Sequence, residues 1–217
     1  MTELFPKAGE LFALLTALCW TVTAMSFEYA GKKVGSLPVN ILRLLIALVF
    51  FSIHGLVFRG LAFPLDASVF AWKWLGLSAL IGFCIGDLLL FRAFVLMGSR
   101  LSMLIMSAVP PITALTGWLI MGETLTVKSW VGMGLTMSGI IMVLLLKSSE
   151  GGRVKSTGNN EGNIAKGLLY AAGGAVGQAL GLVLSKYGMR DFDAFAATHI
   201  RVLVGAAGFA LIFTLSG

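Results

Sequence analysis

The sequence predicts an all-α polytopic membrane protein, organised as a five-span repeat followed by the first two spans of an inverted second repeat, a truncated ten-span architecture. Three observations predict it. First, 58% of the 217 residues are hydrophobic and 12% charged, with a mean hydropathy of +0.93. A soluble domain carries about 25% charged residues, and half that density cannot cover a water-facing surface, so a single soluble core, a disordered chain and a collagen-like chain are excluded. Second, the apolar residues fall into seven runs, each near the roughly 20 residues that cross about 30 Å of hydrocarbon. Third, the chain repeats itself after the fifth run.

The elements follow in order. The first span is expected at 10–30. It is too long for a signal-peptide core, and Glu3 and Glu10 offset Lys7 where a basic leader would stand, so it is a permanent span. Trp20 sits at its centre, away from the interfacial belt that most membrane tryptophans occupy; it is either cavity wall or core filler. Turn chemistry at Gly35-Ser36-Leu37-Pro38 precedes a second span at 38–58, with Arg43 early in it. Phe63-Pro64-Leu65-Asp66 leads to a third span at 72–92, which carries Asp87 and a ridge of small residues, Ser78, Gly82 and Gly86. Gly98-Ser99-Arg100 opens a fourth span at 99–121 with Pro110-Pro111 at its middle. Gly122, expected to end that helix with positive φ, and Thr126, expected to cap the next, bracket Glu123 before a fifth span at 127–146.

One connection is long and polar, rich in Gly, Ser, Asn and charge, the composition of a flexible linker. It divides the chain into a five-span repeat at 1–147, a linker at 148–163 and an incomplete second repeat at 164–217, with spans at 164–186 and 194–215. The sixth span carries a second small-residue ridge, Gly173, Gly177 and Gly181, and ridges of this kind let helix backbones approach closely. Sliding the chain by 158 positions without a gap brings Gly9 onto Gly167, Tyr29 onto Tyr187, Arg43 onto Arg201 and Phe51 onto Phe209. A unit of five spans is odd, so its second copy is expected upside down, and inverted repeats place substrate sites at their interface near the midplane. A complete second copy is expected to end near position 305.

Several of these residues form a pattern that resembles the EamA-type transporters of the drug/metabolite transporter superfamily. They are Trp20 with Glu28 eight positions on, Arg43 in Ile-Leu-Arg-Leu-Leu, and Ile85-Gly86-Asp87-Leu88-Leu89-Leu90-Phe91. The most specific stretch is Ser107-Ala108-Val109-Pro110-Pro111 with Gly117-Trp118-Leu119-Ile120-Met121-Gly122-Glu123-Thr124-Leu125-Thr126, followed by Gly132 and Gly139. The chain departs from the pattern at Glu28, where the family usually has Lys (Lys186 keeps it in the second half), and at Gln178, in place of the second-half Trp. The resemblance implies a cytoplasmic N-terminus, whereas the loop Lys and Arg residues divide too evenly to orient the chain.

Charges inside apolar spans cost about 2.5–3.5 kcal/mol each on insertion scales and mark functional sites by default. Trp20, Arg43, Asp87, Pro110, Pro111 and Gln178 are the candidates for the substrate cavity, and Asp87 for the coupling ion. The structural alternative for Asp87 is an ion pair holding two helices together. Arg92 stands about 140° around the helix from it, which leaves Arg43, on another span, as the better partner. Arg92 and Arg201 are expected to snorkel toward an interface. Prolines 110 and 111 lack the amide hydrogens that would reach the carbonyls of Met106 and Ser107, exposing those carbonyls to a ligand or merely kinking the span. His54 and His199 read as packed residues.

The expected function is a secondary transporter that moves a small organic metabolite or drug-like solute by alternating access, as an exporter. The alternatives are a non-transporting membrane scaffold or fragment and, less favoured, an intramembrane enzyme, for which the sequence offers no HExxH, GxSxG or P-loop. No cofactor and no metal are expected. The expected partners are the solute, protons as the coupling ion, the lipid bilayer and a second copy in a homodimer. Nucleic acid is excluded, since the basic residues are scattered between apolar runs and form no stripe, despite a charge of +6. The expected location is a bacterial or archaeal cell (inner) membrane.

Overall fold

The structure, a computed structural model, describes residues 8–149 and 161–216. Most of the linker expected at 148–163 lies outside the described residues. The described residues are mainly helical: α1 Ala8–Val34, α2 Ser36–Arg59, α3 Val69–Ala79, a π-helical stretch Leu80–Asp87, α4 Leu88–Met97, α5 Ser99–Met106, α6 Val109–Met121, α7 Val127–Ser149, α8 Glu161–Met189 and α9 Ala194–Ser216. Among the described residues there is no strand. The chain is a multi-pass membrane protein with seven spans long and apolar enough to cross a bilayer: Gly9–Val34, Ser36–Arg59, Val69–Met97, Ser99–Met121, Val127–Leu146, Ile164–Met189 and Ala194–Thr214. α3, the π stretch and α4 form the third span, and α5 with α6 the fourth.

Glycines end the spans where the sequence places them. Gly60 and Gly122 adopt left-handed conformations with φ of 68°, which costs glycine little because it has no Cβ. The Gly60 amide donates back to the carbonyls of Gly55 and Leu56. Ser68 caps α3 by accepting from the Ala71 amide at 3.1 Å, and Thr126 accepts from the Ser129 amide at 3.3 Å ahead of α7. The fourth span breaks at Ser107–Ala108, and Pro110 and Pro111 fall in the first turn of α6, where a missing amide hydrogen costs no helical bond. The third span lengthens into its π stretch without a proline. Such segments are rare and occur often at functional sites.

The third, sixth and seventh spans form the centre, with 44%, 50% and 44% of their apolar windows buried, against 6% for the first and fifth. The outer faces of α1, α2 and α7 are lined with Leu, Val, Ile and Phe, as lipid-facing helices require, because hydrocarbon is as apolar as leucine. The two small-residue ridges meet each other. A Cβ on Gly181 would lie 2.8 Å from the Gly82 Cα, and one on Gly177 2.9 Å from the Gly86 Cα. Ser78 Oγ donates to the Gly181 carbonyl at 2.7 Å. Backbone therefore touches backbone between the third and sixth spans, the contact that replaces hydrophobic burial inside a membrane.

The fourth span also shows how α1 and α8 are directed. The C-terminal part of α1 reaches Ser99 at the start of that span, where Glu28 accepts from the Ser99 amide at 2.7 Å and from its hydroxyl at 2.6 Å. The C-terminal part of α8 reaches the far end, where Lys186 pairs with Glu123 at 2.5 Å. The first and sixth spans therefore run antiparallel.

A buried carboxylate between two arginines

Asp87 is the last residue of the π stretch, 2% exposed. By helical rise it stands about 15 Å from the Ser99 end of the bundle, near mid-membrane. An ionised carboxylate there requires cations and hydrogen-bond donors from the protein, because the hydrocarbon around the bundle supplies none. Both of its oxygens are satisfied by other spans. The Arg43 guanidinium of α2 donates to Oδ2, and the Gln178 amide of α8 donates to Oδ1. Three spans thus converge on one carboxylate, two from the first half of the chain and one from the second.

Arg43 is held among aromatic rings, its guanidinium carbon 5.9 Å from the Phe27 centroid, 5.8 Å from Phe83 and 5.4 Å from Phe91. Guanidinium groups are attracted to ring faces, more strongly when desolvated. Phe83 serves a second cation: Arg201 of α9 lies 4.6 Å over the same ring. Arg201 is 8% exposed, and Nε of both Arg43 and Arg201 is buried without a hydrogen-bond partner. Two guanidiniums therefore face one carboxylate, leaving the cluster one positive charge in excess. The Cys84 thiol, one residue beyond Phe83, donates to the Gly205 carbonyl of α9 at 3.6 Å and helps pin the π stretch to the seventh span.

Of the residues singled out in the sequence, Arg43, Asp87 and Gln178 come together. Trp20 does not join them; it stands half exposed on the outer face of α1, 50% accessible. Pro110 is exposed and Pro111 buried, and neither contacts the Asp87 cluster among the described hydrogen bonds, ion pairs and ring contacts. Arg92 is exposed on the bundle surface, where its side chain is free to reach an interface. The expectation for Arg201 is corrected: it does not snorkel but lies inside, because α9 packs against the third span with that face inward. The repeat frame carried the signal, since Arg201 is the counterpart of Arg43.

The two histidines are packed, at the end of the bundle where α2 finishes and α9 begins. His54 stacks on Phe195 with centroids 4.2 Å apart, and His199 Nε2 lies 3.3 Å from the Ser52 hydroxyl. A cleft lined by Phe51, His54, Arg59, Phe195 and His199 opens there with about 10 Å³ of usable space.

The family model described as the EamA-like transporter family matches residues 7–145, the stretch that carries Arg43 and Asp87. No curated protein and no solved structure matches the chain.

Proposed function

The chain belongs to the EamA-like transporter family, and we propose that it exports a small organic solute by alternating access, with the Asp87 cluster at the solute site. The observation that carries this reading is the position of that cluster. A costly buried carboxylate lies near mid-membrane, gripped by Arg43 of one half of the chain and Gln178 of the other. A structural ion pair needs only two neighbouring helices, whereas this one joins the two units whose relative motion would expose the site to either side. The antiparallel course of the first and sixth spans supports reading those units as inverted copies. The bare glycine contact between the third and sixth spans offers a smooth surface along which they can rock.

Asp87 also serves as the proton site in this proposal. Its carboxylate is engaged on both oxygens, so taking up a proton requires Arg43 to withdraw, and protonation is thereby tied to a rearrangement of α2 against the third span. The test is flux in proteoliposomes containing a full-length version of the protein, extended to the roughly 300 residues that a complete second repeat would occupy. Under an imposed pH gradient, a panel of metabolites should include one that accumulates against its concentration gradient and exchanges across the bilayer. No flux of any small organic solute from correctly inserted protein would refute the transport reading.

A further inference from the structure

We infer that Arg201, together with Arg43, forms a subsite for a carboxylate group on the transported solute. This deepens the transport reading above and rests on it for the word transported, but not for the binding. Two features carry it. Arg201 is 8% exposed and its Nε has no hydrogen-bond partner, an incompletely satisfied position for a buried cation. Its neighbours supply a ring face, Phe83 at 4.6 Å, and it shares the charge of Asp87 with Arg43, but the hydrogen bonds to that carboxylate come from Arg43 and Gln178.

The charge balance selects the ligand. Arg43 and Arg201 bring two positive charges and Asp87 removes one, so a single negative charge completes the cluster. A guanidinium presents a planar fork matched to a carboxylate, which it binds through two parallel hydrogen bonds. A cationic solute would meet an excess positive charge at low dielectric, and a dianion would overshoot the balance.

Thermal unfolding of the detergent-solubilised chain, titrated with sodium benzoate at constant ionic strength, tests the subsite without requiring transport. Benzoate should raise the melting temperature saturably, while benzylammonium and chloride leave it unchanged and inorganic phosphate acts more weakly. Arg201→Gln should raise the half-saturating benzoate concentration about tenfold or more, as expected for losing a hydrogen bond between charged groups. Removing an unpaired buried charge should leave the fold intact. If Arg201→Gln does not fold, Arg201→Lys carries the test, because it keeps the charge and loses the fork; it too should weaken benzoate. A benzoate effect in either variant equal to that of the unmodified chain, or a stronger response to benzylammonium or phosphate, overturns the inference. Failures are separable: benzoate binding without flux removes only the transport reading, and flux without an Arg201-dependent benzoate response removes only the subsite.

Discussion

Replacing Asp87 with Asn probes the centre of the proposed site. Asn keeps the size of the side chain and one acceptor oxygen but removes the charge. In the native cluster the carboxylate neutralises Arg43 directly and is the nearest acid to Arg201. Removing one member of a buried pair costs about 3–5 kcal/mol, because the partner is left charged and unpaired. The remaining amide oxygen still accepts one hydrogen bond, so the lower end applies, and Asp87→Asn should lower unfolding free energy by about 3 kcal/mol. Adding Arg43→Gln removes the stranded cation and should restore roughly half of that loss. The rescue should be partial because Arg201 remains without an anion. Denaturant titration in detergent measures both values. Accumulation driven by a pH gradient should fail in Asp87→Asn while solute exchange persists in that variant, and accumulation should stay lost in the double variant. Unchanged stability would refute the ion-pair assignment, and unchanged accumulation over a range of pH would refute the proton role.

Gly181→Ala places a Cβ 2.8 Å from the Gly82 Cα, where only backbone can yield, and should cost about 1–3 kcal/mol as overpacking; Gly132→Ala, with nothing within 4 Å, should be neutral or slightly stabilising in the same titration. Glu28→Ala removes the acceptor of two hydrogen bonds at Ser99 and should cost about 1–2 kcal/mol, whereas Glu123→Ala breaks a pair whose side chains are 64% and 39% exposed and should cost less than about 1 kcal/mol. In a background without Cys19 and Cys84, single cysteines at Leu65 and Arg100 should label from opposite sides of the membrane, since one span separates them; labelling from the same side would mean that Val69–Met97 does not cross.

The number of spans, their breaks and the family were legible in the chain itself, because each rests on local information. A run of about 20 apolar residues states its own membrane crossing, and a glycine after such a run states its end. The pairing of Asp87 with Arg43 was also legible, by elimination: Arg92 lies on the wrong side of its own helix. What the sequence leaves open is the direction in which each helix faces. A span that is apolar all round has no polar stripe to orient it, so the outward turn of Trp20 and the inward turn of Arg201 are settled by packing alone. The meeting of the two glycine ridges brings Gln178 to Asp87, and the π stretch carries Asp87 at its end. Neither depends on hydropathy. The meeting of Gln178 with Asp87 depends on the backbone contact between the third and sixth spans, residues about 90 positions apart, whose close approach decides which buried charges share a site.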